Sequence, residues 1–291
     1  MTTQMTSSPR IVYVNGEYLP ETQAKVSIFD RGFLFADGVY EVTSVLDGKL
    51  VDFSGHCARL GRSLGELKIA SPCTDDEMLT IHRELVARNA LTEGLVYLQV
   101  TRGAEDREFT WSNTLTPTLV LFTQAKTLIA SPLAARGSKV ISVPDLRWQR
   151  RDIKTVQLLY PSLAKMEAKA QGKDDAWMVE DGFVTEGTSN NAFIITHDGR
   201  LITRQLSRSL LHGITRAAVL RHAAEEGLKI EERPFSIEEA KTAAEAFVTA
   251  ATSFVTPVVE IDGVAIGNGK PGPLAQKLRA IYIDESRRSS I

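Results

Sequence analysis

Asp152-Ile153-Lys154-Thr155 and, further along, Val184-Thr185-Glu186-Gly187-Thr188-Ser189-Asn190-Asn191 bracket the stretch whose reading decides the fold. Between them, Val156-Gln157-Leu158-Leu159 runs into Pro161, whose fixed φ suits the first turn of a helix. The spacing predicts a helix through Leu163, Met166 and Ala170, ended by Gly172. Residues 176–179 and 183–186 then flank Glu180-Asp181-Gly182, a turn in which glycine supplies a positive φ. One lysine and one glutamate are thereby set at the ends of short regular elements, where a site can be held rigidly.

A lysine amine condenses with aldehydes, and nearby positive charge or desolvation makes it nucleophilic near neutrality. A buried glutamate can keep a ring nitrogen protonated. Pyridoxal phosphate needs both, a Schiff-base lysine and an acidic partner for its pyridinium. An arbitrary lysine–glutamate pair reads more simply, as a surface cation and a strand-end carboxylate. Here, however, "DIKTVQLL" and "TEGTSNN" resemble the fold type IV pyridoxal-phosphate enzymes, the family of D-amino acid and branched-chain aminotransferases, and look most like the D-amino acid (D-alanine) aminotransferase branch. The similarity runs from about Ile11 to about Ala280.

The resemblance implies an α+β fold, α/β in a looser description, with the cofactor pyridoxal 5'-phosphate between two domains. The smaller N-terminal domain is expected at residues 1–125 and the larger one, carrying Lys154, at 138–291. The Ala-, Ser-, Pro- and Gly-containing run at 126–137 reads as the linker. Lys154 would attach the cofactor and move protons, and Glu186 would hold the pyridine nitrogen.

Composition sets the outer bounds. The chain has 291 residues, 43% hydrophobic and 24% charged, with a net charge of −2, so no strong field favours nucleic acid or anionic membrane. Cys57 and Cys73 form no metal or redox spacing and read as free thiols of a reducing compartment. The start, Met1 to Arg10, is polar and reads as neither signal nor transit peptide, and no apolar run reaches membrane-spanning length. A cytoplasmic protein is expected, with a frayed tail from Ser286 to Ile291.

In the N-terminal part, Asn15-Gly16 turns a hairpin, and residues 30–38 read as an apolar, glycine-punctuated loop. In the strand that follows, alternation puts Tyr40, Val42 and Ser44 on one face and Val39 and Val45 on the other. Tyr40 alone reads as a half-buried strand aromatic; the resemblance makes Tyr40 and Val42 part of a substrate-binding wall. Ser54 or Gly55 can cap the next helix, on which a lone Arg59 would ordinarily face solvent. His56-Cys57-Ala58-Arg59-Leu60 matches the family pattern whose arginine grips the cofactor phosphate, a role suited to a guanidinium. Thr74 and Glu77 form a capping box for a helix with Met78, Ile81 and Leu85 on its core face.

The loop 102–111 contains Arg102 and Arg107. By resemblance it crosses a homodimer interface, and an Arg-x-His pair in it helps bind the substrate carboxylate. Arg107 matches the arginine, but Phe109 stands at the histidine position and leaves that carboxylate trap incomplete. The basic run 147–151 could depress the lysine pKa, but its arginines read mostly as solvated.

Gly213-Ile214-Thr215 opens a helix, and free N–H groups there suit an anion. The resemblance assigns the Ile214 and Thr215 amides and the Thr215 hydroxyl to the phosphate. His212 reads as a local structural residue. Residues 238–246 are Ala- and Glu-rich and read as helix, and 274–283 as a terminal helix. The turn Ala250-Ala251-Thr252 matches a second family loop facing phosphate and carboxylate. Its first two hydroxyls are absent here, leaving the Ala251 and Thr252 backbone and the Thr252 side chain.

The expected function is transamination between a D-amino acid and a 2-keto acid. The open alternatives are an (R)-selective amine transaminase, an aminodeoxychorismate lyase, a branched-chain L-aminotransferase, or a cofactor-binding protein without turnover.

Overall fold

The computed structural model describes residues 9–291, so most of the polar start lies outside the described residues. The chain divides into two compact units, one ending at Lys126 and including Ser290–Ile291, the other spanning Thr127–Ser289. Both combine helices with a sheet in an α+β arrangement.

The first unit contains β1 (Ile11–Val14), β2 (Glu17–Pro20), α1 (Arg31–Phe35), β3 (Gly38–Leu46), β4 (Lys49–Leu50), α2 (Phe53–Leu67), α3 (Asp75–Arg88), β5 (Gly94–Thr101) and β6 (Thr118–Ala125). Its six-stranded antiparallel sheet has the order β2-β1-β6-β5-β3-β4. Asn15 and Gly16 take φ of 47° and 102° at the β1–β2 turn, the left-handed pair a tight hairpin requires. On β3 the residues Val39, Glu41, Thr43 and Val45 are buried, and α2 packs against this strand. On the alternate set, Tyr40 stacks on Tyr97 and Tyr97 on Phe122. Both arms of the Thr74–Glu77 capping box form, and Met78, Ile81 and Leu85 are buried as the pattern requires.

Three local expectations change in this unit. The loop at 30–38 contains α1, because the Asp30 carboxylate accepts the Gly32 N–H and nucleates a turn. The α2 helix starts at Phe53, with Asp52 in the left-handed region, ahead of the expected cap at Ser54 or Gly55. The final residue is not frayed: Leu50 and Ile291 exchange backbone hydrogen bonds of 2.8 and 3.1 Å.

The second unit contains α4 (Pro132–Arg136), β7 (Ser138–Pro144), α5 (Leu159–Ala170), β8 (Asp175–Glu180), β9 (Phe183–Gly187), β10 (Asn191–Ile195), β11 (Arg200–Thr203), α6 (Ile214–Glu225), β12 (Lys229–Glu232), α7 (Ile237–Lys241), β13 (Glu245–Ala250), β14 (Phe254–Ile261), β15 (Val264–Ala265) and α8 (Pro273–Ser289). The sheet order is β12-β11-β10-β13-β14-β7-β8-β9, with β15 on β14. The pairs β11–β12, β14–β7 and β7–β8 are parallel and the rest antiparallel. Trp177, Phe193, Phe235, Phe247 and Phe254 fill its interior.

Residues 126–137 carry α4, and Leu128 is fully buried. Arg279 of α8 donates to the Leu128 and Ile129 carbonyls at 2.6 and 3.0 Å, which ties this stretch into the second unit. The α5 helix turns a different face inward from the one its large residues suggest. Ala164 and Ala168 pack with Ile141, Val143, Ala176 and Met178, while Leu159, Leu163 and Met166 are exposed. Small side chains let the helix lie close on β7 and β8. The Ala- and Glu-rich run at 238–246 stays helical only to Lys241, and Glu245 and Ala246 join β13. There the Glu245 carboxylate accepts the Leu274 and Ala275 N–H groups and caps α8, a tertiary contact that overrides local propensity.

Among the described residues no helix is long and apolar enough to cross a membrane. Cys57 and Cys73 are unpaired.

Candidate active site

Glu186, on β9, is 3% exposed. Its Oε1 accepts from Arg147 at 2.6 Å. Its Oε2 accepts from Asn191 Nδ2 at 3.0 Å and from the Leu211 N–H at 3.1 Å. Three donors from three separate segments thus fix one carboxylate, which is how a buried charge persists in a fold. Arg147 is itself locked. Its Nε and Nη2 donate to the two Asp145 oxygens at 3.0 and 2.7 Å. Burial would lower the Arg147 pKa, but the charges of Glu186 and Asp145 and their hydrogen bonds raise it above its ordinary value. Burial would likewise raise Asp145, yet the bonds and charge of Arg147, the Thr185 hydroxyl and Arg151 hold it below the usual carboxylate range.

The basic run is therefore not solvated. Arg151 is 5% exposed, binds Glu180 through two 2.8 Å bonds, and gives its N–H to the Arg208 carbonyl at 3.0 Å. Arg150 holds Asp152 in the same manner. Lys154, half-buried, follows directly on this clamped segment, between β7 and α5. Glu186 lies near the end of β9 as expected, whereas Lys154 lies within the connection between β7 and α5 and not at an element end; nor does the sequence show that the arginines before the lysine anchor the glutamate. The available signal is the pair of acids, Asp145 and Asp152, that flank the three arginines.

Within the motif after Glu186 the roles divide. Thr188 and Asn190 bind Asp175 at the start of β8 and shape the loop. Asn191 turns the other way, bridging Glu186 and the Leu211 carbonyl at 2.9 Å. A Cβ at Gly213 would collide with Asn191 Oδ1, so only glycine lets the start of α6 approach this closely. Gly213 is also the N-cap of α6 and supplies no side chain to its first turn. The amides of Ile214 and Thr215 open the helix there, with Thr215 buried. His212 Nε2 lies 3.2 Å from the nearby Ser207 carbonyl, a local contact of the kind expected for a structural residue. Across the sheet Asn191 faces Thr249 on β13, so their side chains share one face. The Thr249 hydroxyl is buried without a hydrogen-bond partner. Ala251 and Thr252 follow in the half-buried turn between β13 and β14.

The remaining candidates lie in the first unit. Arg59 is buried rather than solvent-facing, and its Nε and Nη2 donate to the two Glu41 oxygens at 2.7 and 2.8 Å. His56 Nδ1 lies 2.7 Å from the same carboxylate. Burial would raise the Glu41 pKa, but the Arg59 charge and bonds and the His56 contact drive it far below the ordinary range. Tyr40 and Val42 are half-buried on the opposite side of β3. Arg107 and Phe109 are both exposed in the loop between β5 and β6. Their guanidinium and ring lie 5.6 Å apart.

Residues 38–261 match the model of the family described as amino-transferase class IV. The chain is 37% identical over 270 residues to a D-alanine aminotransferase of Bacillus licheniformis, covering 92% of this chain and 94% of the relative. Among solved structures, the Escherichia coli branched-chain amino acid aminotransferase has the same fold, with a TM-score of 0.88 at 21% identity over 96% of this chain and 95% of that one. The T.th. branched-chain amino acid aminotransferase, solved with pyridoxamine 5'-phosphate, gives 0.87 at 25% identity over 95% and 93%. The family match and the D-alanine aminotransferase relative define an aminotransferase. The chain belongs to the amino-transferase class IV family, whose members are pyridoxal-phosphate-dependent enzymes.

The residues present fit that cofactor in kind. An anchored carboxylate suits a protonated ring nitrogen. A helix start without a capping side chain and a buried, unpartnered hydroxyl on β13 suit a phosphate. A lysine on a rigid segment suits an aldehyde.

Proposed function

We propose that this aminotransferase moves an amino group between a D-amino acid and a 2-keto acid. The observation that carries the reading is the triple anchoring of Glu186 by Arg147, Asn191 and the Leu211 amide, in a chain similar over most of its length to a D-alanine aminotransferase. Bound pyridoxal phosphate supplies an aldehyde for the amine and a ring that accepts the electrons left at Cα. Lys154 Nζ takes the proton from the donor's Cα as base and delivers it as acid. Glu186 holds the proton on the ring nitrogen, and Arg147 keeps Glu186 in place. Arg59, the Ile214 and Thr215 amides, the Thr215 hydroxyl, Ala251 and Thr252 hold the phosphate. Tyr40, Val42 and the Ala251–Thr252 backbone line the substrate, and Arg107 pairs with its carboxylate.

The protein acts as a homodimer, with Arg107 serving the partner's site. The exposed apolar stripe Leu159, Leu163 and Met166 on α5, and the exposed Phe33 and Phe109, support a covered surface of this kind. Its two unpaired cysteines support a cytoplasmic location.

A panel of paired D- and L-amino acids with (R)-1-phenylethylamine, followed by bleaching of the cofactor's absorption, tests the reading. D-alanine should bleach the enzyme and a keto acid should restore it. Bleaching by L-leucine but not by any D-amino acid would overturn the assignment. Release of pyruvate from aminodeoxychorismate without bleaching would make the protein a lyase. Phe109 favours one secondary activity, on (R)-primary amines, because an apolar group stands where the trap for a carboxylate is expected.

A further inference from the structure

Phe109 does more than remove a histidine. The Arg107 guanidinium lies 5.4 Å from the centre of the Phe35 ring and 5.6 Å from that of Phe109. The two rings are 5.6 Å apart and tilted by 55°. Among the described residues the Arg107 side chain makes no hydrogen bond or ion pair; its contacts are with the rings. A guanidinium held by π faces keeps all five of its N–H donors available for an anion, whereas one gripped by a carboxylate has part of them engaged.

The loop that carries this group is held from beneath by Arg31, the first residue of α1 and 3% exposed. Its Nη1 donates to the Glu108 carbonyl at 2.7 Å and the Thr110 carbonyl at 3.3 Å, and its Nη2 to the Phe109 carbonyl at 3.4 Å. Its backbone N–H bonds to the Gly103 carbonyl at 2.8 Å. Three consecutive carbonyls thus converge on one buried cation. Asp37 ties Arg31 to Arg102, with bonds of 2.9 Å from the first and 2.7 Å from the second. Trp111 closes the same cluster, its ring 4.0 Å from the Arg102 guanidinium and 5.5 Å from that of Arg31. Phe35 belongs to the same short helix as Arg31, so one element fixes both the loop backbone and one face of the ring mount.

We propose that Arg31, Phe35 and Phe109 are positioning residues that set Arg107 as the reader of the donor's carboxylate, with Phe109 replacing the hydrogen bonds of a histidine by a ring surface. The inference rests on the reading that Arg107 meets that carboxylate. Selectivity for carboxylate-bearing donors is then a property of how the loop is mounted.

The test uses the holoenzyme with Arg107→Ala, Phe109→Leu, Phe109→Tyr, Phe35→Leu and Arg31→Lys. The readouts are KM and kcat for D-alanine and (R)-1-phenylethylamine, and the inhibition constant of acetate, an unreactive carboxylate. Phe109→Leu and Phe35→Leu, which remove a ring but keep apolar bulk, should each raise KM for D-alanine and the acetate constant by about two- to five-fold. The kcat and the phenylethylamine parameters should not move. Phe109→Tyr restores a ring and should return the wild-type KM. Arg31→Lys should show the larger carboxylate-specific loss, with faster hydrogen exchange at residues 105–112.

If Arg107→Ala raises KM for D-alanine while Phe109→Leu leaves it unchanged, the mount is wrong and the carboxylate reading stands. If Arg107→Ala affects both donors equally, the carboxylate reading fails and the mount falls with it. Should Arg31→Lys fail to fold, the Phe109→Leu and Phe109→Tyr pair decides.

Discussion

The clamp around Glu186 and the mount around Arg107 solve opposite problems with the same residue types. In the clamp, Arg147 is inserted between two carboxylates, both buried, and each of its three guanidinium nitrogens donates to one of them. In the mount, Arg107 is exposed and rests on aromatic rings, while the ion-paired arginines Arg31 and Arg102 lie beneath it. A clamp whose members all satisfy one another can change only at high cost, which suits groups that must keep one geometry through a proton transfer. A mount that leaves its donors available trades rigidity for the ability to meet different ligands. On the proposed function, the chemistry would reside in the first region and the choice of donor in the second.

The largest effect expected from breaking the first region is at its functional end. Lys154→Ala should lower turnover by on the order of 10³-fold or more, since attachment and proton transfer are lost together. Lys165→Ala, on the exposed side of α5, should leave turnover near wild type; single-turnover rates on D-alanine compare the two. A reversed ranking would place the reactive lysine elsewhere.

Arg147→Ala comes next. It leaves Asp145 and Glu186 buried together without their shared cation, and should cost about 3–5 kcal/mol of stability as well as slowing proton abstraction. Denaturant titration of Arg147→Ala, Glu186→Gln and the double variant measures the coupling. Independent, additive losses would mean that the pair is a surface convenience and not a clamp.

A smaller effect is read by pH, in the clamp and in the Arg59–Glu41 pair. Glu41 and Asp145 have folded-state pKa values below their ordinary ones, each through arginine partners. Their stabilisation is therefore complete above the unfolded carboxylate pKa of about 4 and is lost progressively as pH falls below it. Glu41→Gln should flatten the acid limb of thermal stability and weaken cofactor affinity, because Arg59 loses the partner that aims it. Unchanged acid sensitivity in this variant would show that the Arg59–Glu41 pair contributes nothing to folding.

The sequence makes some of this legible and conceals the rest. Signals confined to a few neighbouring residues translate directly: the Thr74–Glu77 box, the Asn15–Gly16 turn, and Glu186 near the end of its strand, whereas Lys154 lies in a connection that no local pattern describes. What is hidden depends on groups brought together from far along the chain. Arg147 and Arg151 read as solvated because their partners Glu186 and Glu180 lie on strands that only the fold places beside them. Arg59 reads as solvent-facing because Glu41 alternates with aromatic and β-branched neighbours and looks like a strand residue only. The inward face of α5 is misjudged by size, since close packing on a sheet favours Ala164 and Ala168 over Leu163 and Met166. Arg31 carries no local signal, and its value lies in three carbonyls of a loop that no periodicity describes.

The smallest expected effect is also the one that bears most directly on the difference between clamp and mount. Phe109→His restores the residue type that the resemblance places there. An imidazole on an exposed loop titrates near its ordinary pKa of about 6.5. Below that pH the added positive charge should draw a carboxylate, lowering KM for D-alanine by a few-fold relative to its value at pH 8. The gain should fade as pH rises through the imidazole pKa, and wild type should show no such step. The same change puts a polar side chain where an apolar one stood, so activity on (R)-1-phenylethylamine should fall at both pH values. KM for D-alanine measured at pH 6 and pH 8 in 0.1 M salt decides the matter. If Phe109→His raises that KM at both pH values, the ring surface under Arg107 matters more than a second charge, and the phenylalanine is a working part of carboxylate recognition. If it lowers KM only at pH 6, the mount tolerates either residue, and the phenylalanine has exchanged a pH-dependent grip on the carboxylate for a constant one.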